Sequence, residues 1–379
     1  MKKSLQLNNQ LKSDLMNNNW KEGQRFYSEN QLCQKYGLSR QTVRQALSAL
    51  TDEGLLVSRK GSGTFVTAEA VNRRFSRTRT IGILVTYLSD YIFPIIIKEL
   101  ERIFTAEGYY VYLASTRNSV AQERKLLEAM LEKNVDGIIL EPTKSALPNP
   151  NRDLYSQLLK SNYPLITINS AYPDLPFPQV ALDDDQAGFI AAQYLLQSGH
   201  RQIGGLFKSD DMQGHLRYRG FQRALLQAGA AFADKQIYWY TTEDLPDLDI
   251  GGDQILRRLS GCSAVVTYND QIAIRLIDLL QQHGLRVPED LSIVSIDDSR
   301  LASVSSVPLT SVRNPSSEVG KVAARNLLRL INGQNFDAGQ SFAPQLVVRK
   351  SVCPPPLQAP GQALTGLGEA AAGPHPAAT

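Results

Sequence analysis

LSRQTVRQALSALTDEGLLVSRKGSGTF, residues 38–65, decides how the first part of this chain folds. Ser39 is an N-cap residue type, and behind it Val43, Ala46, Leu47 and Leu50 form one apolar stripe at helical spacing. Arg40 and Arg44, four residues apart, share a face beside Gln41 and Gln45. After Gly54 the run LLVSRKGSGTFV alternates as two short strands joined by Lys60, Gly61, Ser62 and Gly63, glycines permitting the positive backbone dihedrals of a tight hairpin. Neither a helix nor a hairpin of this length buries a useful core alone, so the two must share one.

Working outward, Leu5, Leu7, Leu11, Leu15 and Met16 recur at roughly helical spacing, and Ser28 and Glu29 open a short second helix with Leu32, Cys33 and Tyr36 inward and Gly37 as its C-cap. The result is a winged helix-turn-helix. Arginine bridges guanine edges, glutamine does the same for adenine, and both hold phosphates, so the outer face of the third helix suits a major groove. Arg59 and Lys60 at the hairpin tip suit a phosphate or the minor groove. The competing reading is a small winged domain used for protein contacts.

Charge favours the nucleic-acid reading. The 379 residues carry a net +3, but residues 1–80 hold fourteen Lys+Arg against six Asp+Glu, leaving 26 against 31 for the rest, so a head of +8 is joined to a body of −5. Length and the 42% hydrophobic content allow two or three globular domains. Cys33, Cys262 and Cys353 fit no metal-ligand or disulfide spacing. The N-terminus is positive, but Asn, Asp and Lys stand where an export signal needs an apolar core, and no apolar run is long enough to span a bilayer. A cytoplasmic protein without membrane contact is expected.

AEAVNRRFSRTR, polar and basic, reads as a flexible linker over residues 68–79. Beyond it, apolar runs of strand length (TIGILVTYL, YYVYLAST, VDGIILEP, PLITIN, then RQIGGLF, IYWYTT, SAVVTYN, LSIVSID) alternate with helical patterns such as IIIKELERIFTAEG and AIRLIDLLQQHG. This alternation implies parallel sheets with right-handed crossovers, and two series imply two α/β lobes. Ligands of such sheets collect at the carboxyl ends of the strands, in a cleft shared by the lobes. The residues after the strands include Asp90, Tyr91, Glu141, Asn169, Asp183 to Asp185, Asp210, Asp211, Asn269, Asp270, Asp297 and Asp298. A ring of carboxylates and amides fits a neutral polyhydroxylated ligand, although each Asx is equally a helix N-cap. Tyr91, Phe93, Tyr268 and Trp239 are candidate stacking aromatics. The Pro-, Ala- and Gly-rich tail, residues 353–379, has almost nothing to bury and is expected to be disordered.

The head, SENQLCQKYGLSRQTVRQALSALTDEGLLVSRKGSGTFV, resembles the winged helix-turn-helix of the GntR repressors, departing at Tyr27, where many members place proline. The resemblance implies a DNA-binding domain over residues 1–67, with a DNA face of Ser28, Glu29, Ser39, Arg40, Gln41, Thr42, Arg44, Gln45, Arg59, Lys60, Gly61, Ser62 and Gly63. The body, through GHRQIG, RYRGF, YNDQIA, VPEDLSIVSIDDS and LTSVRNPSSEVG, resembles the effector domain of LacI/GalR repressors, a periplasmic-binding-protein-like fold, over residues 80–352. By motif this implies sugar contacts from Arg217, Asn269, Asp297 and Asn314, with Asp183 and Asp184 less securely aligned and Asp90, Tyr91 and Glu141 placed only as strand-end neighbours. The pairing of such a head and body, with segments such as LDDDQAGFIAAQYLL and FKSDDMQGHLRYRGF, resembles the arabinose-responsive repressors. That resemblance implies a homodimer, operator DNA as partner and L-arabinose as effector, with no cofactor, metal or catalytic residue.

Two other classes compete. A periplasmic-type sugar receptor without a DNA role lacks an export signal here and leaves the head unexplained. An enzyme would need a phosphate loop, a nucleophile elbow or a metal spacing, and the chain shows no GxGxxG after a strand, no GxSxG and no His-rich cluster among its four histidines.

Overall fold

The computed structural model describes residues 3–17, 20–75, 78–88, 91–230, 233–244 and 252–355. In the head, helices α1 (Lys3–Asn17), α2 (Glu29–Tyr36) and α3 (Arg40–Asp52) precede strands β1 (Leu56–Arg59) and β2 (Gly63–Val66) and helix α4 (Ala68–Phe75). Leu7, Leu11, Leu15, Leu32, Val43, Leu47, Leu50, Leu56 and Val66 bury together as one core, so helices and hairpin do share it. Ser28 and Gln31 close a reciprocal capping box on α2, and Gly37 ends it in the left-handed conformation. The wing pairs Leu56 with Val66 and Arg59 with Gly63, and its turn uses positive φ at Gly61 (76°) and Gly63 (114°).

Residues 68–79 differ from the expected linker. Ala68–Phe75 is helical, the Thr67 hydroxyl accepts from the Ala70 amide at 3.1 Å, and Ala70 joins the core of the head. The polar side chains dominate the sequence there and mask a Thr67 cap with a small apolar contact behind it.

The body opens with β3 (Thr80–Val85), α5 (Phe93–Ala106), β4 (Tyr110–Ser115), α6 (Val120–Glu132), β5 (Gly137–Leu140), α7 (Arg152–Lys160), β6 (Leu165–Ile168) and β7 (Gln179–Leu182). It continues with α8 (Asp184–Gln197), β8 (Ile203–Lys208), α9 (Met212–Gln227), β9 (Ile237–Tyr240), α10 (Gly252–Leu259), β10 (Ala264–Thr267), α11 (Asp270–Gln282), β11 (Ser292–Asp297), α12 (Arg300–Val304) and β12 (Thr310–Arg313). The last elements are α13 (Ser316–Ile331), β13 (Gln340–Phe342) and β14 (Gln345–Val347).

Two six-stranded sheets result, in the orders β13-β7-β6-β5-β3-β4 and β14-β12-β11-β10-β8-β9. The described pairings are parallel except β12 with β14. Both centres are fully buried runs, Gly137–Leu140 and Leu165–Ile168 in the first lobe and Ala264–Thr267 in the second, as sheets covered on both faces require. The chain does not finish one lobe before starting the other. Helix α13 returns to the first lobe, where Val319, Ala323 and Leu327 pack with Ile96 and Leu100 of α5, and β13 adds an edge strand there before β14 re-enters the second. Three crossings therefore join the lobes, after Leu182, Arg313 and Phe342, and the Asp183 amide donates to the Phe342 carbonyl at 2.9 Å, tying the first to the third.

The end of the chain also differs from expectation at its start. Cys353, placed in the disordered tail, is held in the second lobe, its amide donating to Ser292 Oγ at 3.1 Å and its carbonyl meeting His200 Nε2 at 2.9 Å. Residues 356–379 of that tail lie outside the described residues.

Candidate functional site

The second lobe's site is built on a close crossing of α8 and α9. A Cβ on Gly188 would lie 1.9 Å from the Arg217 carbonyl, and one on Gly220 would lie 1.8 Å from the Asp185 carbonyl. With glycine at both points the helices touch through their backbones, and Arg217 of α9 is carried against Asp184 of α8. Asp183, the N-cap of α8, accepts from the Gln186 amide and stays exposed, so the carboxylate buried against Arg217 is that of Asp184.

Arg217 is almost fully buried, 1% exposed, and each arm of its guanidinium is used. Nε donates to Asp184 Oδ1 at 2.7 Å, Nη1 to the Tyr268 carbonyl at 2.6 Å and Nη2 to Asp297 Oδ1 at 3.2 Å, with the Tyr268 ring 4.7 Å below. Burial opposes its charge, but Asp184 and Asp297 prevail and hold it well above the usual guanidinium range. Burial likewise raises the Asp184 carboxyl, to about 6, against the pull of Arg217. Asp297 ends β11 with φ 104° and also accepts from Asn314 Nδ2 at 3.3 Å, at the second crossing. Asn269 caps α11, its Oδ1 accepting from the Ile272 amide at 3.1 Å, and Asp270 beside it is buried, accepting from Ser299 N and Ser311 Oγ, both at 2.7 Å.

The first lobe supplies the other wall. Tyr91 reaches across, its hydroxyl donating to Asp297 Oδ2 at 2.7 Å and accepting from the Asp270 amide at 3.3 Å. Glu141, after β5, is buried; Thr86 donates to its Oε2 through both amide, at 2.8 Å, and hydroxyl, and Asn169 Nδ2 donates to Oε1 at 3.0 Å. Desolvation raises this carboxyl to about 7, against those donors. Away from the crossings the lobes meet again: Ser145 Oγ donates to Asp211 Oδ1 at 3.0 Å and accepts from the Met212 amide at 2.9 Å, while Lys144 pairs with Glu243 and Asn118 with Thr242.

The structure thus brings Tyr91, Asp184, Arg217, Asp297 and Asn314 into one network, sets Glu141 in the opposite lobe and leaves Asp183 at the surface. Asp90 lies outside the described residues. Trp239 stacks on His215 and packs against Tyr218, and Phe93 belongs to the first lobe's core, so neither aromatic is free for a ring. Sequence reasoning missed Thr86, Ser145 and Lys208. The first two follow strands as ordinary hydroxyls, and Lys208 hides as the last residue of an otherwise apolar strand.

In the head, Arg40, Gln41, Arg44, Gln45, Arg59, Lys60, Gly61 and Ser62 are exposed, and Thr42 and Gly63 are half-buried. Arg44 Nε donates to Glu29 Oε1 at 2.9 Å and Arg40 Nη2 to Asn30 Oδ1 at 3.1 Å. An acid on a DNA face would repel phosphate; here Glu29 aims a guanidinium. Ser28 and Ser39 spend their hydroxyls on capping α2 and α3.

Comparison with known proteins agrees with both halves. Residues 3–66 match the model for bacterial regulatory proteins of the gntR family, and residues 192–352 match a periplasmic binding protein-like domain. The chain is 39% identical over 354 residues to an arabinose metabolism transcriptional repressor of Geobacillus stearothermophilus, covering 92% of this chain and 97% of that protein. It is also 39% identical over 339 residues to one of Halalkalibacterium halodurans, covering 86% and 89%. Among solved structures, the transcription regulator CcpA of Lactococcus lactis superposes with a TM-score of 0.66 at 26% identity, covering 73% of this chain and 100% of that one.

Proposed function

The chain belongs to the family of arabinose metabolism transcriptional repressors, and from that premise we propose that L-arabinose is the effector bound in the cleft between its two lobes. It is a sugar-responsive, DNA-binding repressor and not an enzyme. What supports the ligand reading is the Tyr91–Asp297–Arg217–Asp184 chain of hydrogen bonds, which joins polar groups of both lobes. A pentose with several adjacent hydroxyls pairs with such groups; an epimer leaves some of them unpaired and binds far more weakly.

The same reading extends to the switch. A ligand that bridges both lobes favours their closed arrangement by its differential contacts, and the protein acts as a homodimer in the cytoplasm, where closure alters the spacing at which two heads are offered to two half-sites. Coupling of this kind is worth about 1–3 kcal/mol, a release of roughly 5- to 150-fold. Calorimetric titration of the full chain with L-arabinose and its epimers tests the ligand: saturable binding of L-arabinose alone is expected, and preference for another sugar overturns the assignment.

A further inference from the structure

We propose that Lys208 is a specificity-determining residue of the cleft, donating from the second lobe to a ligand hydroxyl on the side opposite Glu141. The inference rests on the sugar-binding reading above and concerns a residue to which the sequence reading gave no sugar contact. Lys208 ends β8 with only 7% of its surface exposed. Its Nζ lies 3.4 Å from Asp210 Oδ1 and 3.7 Å from Asp211 Oδ2, longer than the roughly 2.7–2.9 Å of a strong charge-assisted hydrogen bond. The two carboxylates are fixed by other donors: Asp210 Oδ2 by the Thr242 amide at 3.1 Å, and Asp211 Oδ2 by the Tyr268 hydroxyl at 2.8 Å. They neutralise the ammonium without saturating its three N–H groups.

The ammonium also faces the other lobe. Both of its carboxylate neighbours are held by donors of the first lobe: Ser145 Oγ donates to Asp211 Oδ1 at 3.0 Å and Asn118 Nδ2 to Asp210 Oδ2 at 3.4 Å. A purely structural need at a buried strand end is met more cheaply by an apolar side chain, since an ammonium must be desolvated. What the cleft gains is a cationic donor on one wall and a carboxylate on the other. A hydroxyl bound to Lys208 accepts, and its spacing from one held by the Glu141 carboxyl on the other wall discriminates between pentose epimers.

The test is binding of L-arabinose and each of its monodeoxy analogues to the full chain and to Lys208→Met, by calorimetry. Losing a hydrogen bond to a charged group weakens L-arabinose by roughly 10- to 100-fold. One analogue, lacking the hydroxyl that meets Lys208, is expected to bind both proteins equally. Loss of the same factor for L-arabinose and every analogue means that Lys208 acts through packing and overturns the proposal, as does unchanged affinity for L-arabinose. Should Lys208→Met not fold, Lys208→Gln carries the same comparison. A wild-type chain that binds no L-arabinose, D-xylose or D-ribose overturns the sugar reading and this inference together, whereas wild-type binding with an indifferent variant overturns the inference alone.

Discussion

The Tyr91 hydroxyl donates to Asp297 Oδ2 at 2.7 Å, a hydrogen bond that runs from one lobe of the body to the other and ends on a carboxylate shared with Arg217 and Asn314. Tyr91→Phe deletes the donor and leaves a buried carboxylate oxygen without it, at a cost of about 1–3 kcal/mol. Because the bond bridges the lobes, the loss should fall on closure: L-arabinose is expected to bind more weakly to Tyr91→Phe, by calorimetry, while the midpoint of operator binding without sugar stays unchanged. Equal sugar affinity would show that the bond does not favour closure.

Gly188→Ala tests how the site is positioned. The new methyl carbon would stand 1.9 Å from the Arg217 carbonyl, so α8 and α9 must move apart and carry Asp184 away from Arg217. Overpacking of this kind costs about 1–3 kcal/mol or more. Thermal unfolding should shift down by several degrees and sugar binding should be lost even where the protein remains folded; a variant with wild-type melting and affinity would contradict the packing described.

Glu141 gives a signature in pH. Its folded pKa of about 7 lies above the ordinary 4.5, so the folded protein retains a proton that the unfolded chain has released. Its contribution is complete below pH 4.5 and is lost as pH rises through 7, stability falling by about 1 kcal/mol per pH unit from this group. Asp184 and Asp270, each raised to about 6 by burial, act with the same sign but finish earlier. Other groups titrate in the same range, His200 with the opposite sign because burial lowers its pKa below 6.5, so the test is a difference: in urea unfolding between pH 6 and 7 the wild type should lose more stability, or gain less, with rising pH than Glu141→Gln, and parallel profiles would refute it.

On the head, Arg44 is 68% exposed by side chain and aimed by Glu29. Arg44→Ala should weaken specific duplex binding by about 1–3 kcal/mol with no loss of folding, whereas Lys60→Ala should weaken all sequences alike and lower the salt dependence by about one charge. A mobility-shift series across salt concentrations distinguishes them. Normal operator binding by the Arg40→Ala, Arg44→Ala double variant would remove the groove assignment.

Most of the architecture was legible because its signals are local. The stripe from Val43 to Leu50, the Gly61 and Gly63 turn and the run of apolar strands each announce themselves within a dozen residues. The return of α13 to the first lobe was not legible, since nothing in SSEVGKVAARNLLRLI says which sheet it covers. The site divides along the same line. Arg217 and Asp297 could be placed by motif, but Asp183 and Asp184 could not be told apart until the helix start was fixed, because the residue that caps faces outward and its neighbour faces in. Lys208 was invisible for a related reason: the value of a cation depends on the carboxylates folded around it.

In the proposed switch, a sugar held between the lobes governs DNA binding by the head. The direct measurement is fluorescence anisotropy of a labelled duplex selected for binding by the full chain, titrated with protein at increasing L-arabinose. The duplex dissociation constant should rise, saturating at roughly 5- to 150-fold, and an epimeric pentose should not produce the rise. An unchanged dissociation constant at a concentration of L-arabinose that calorimetry shows to be saturating would contradict it.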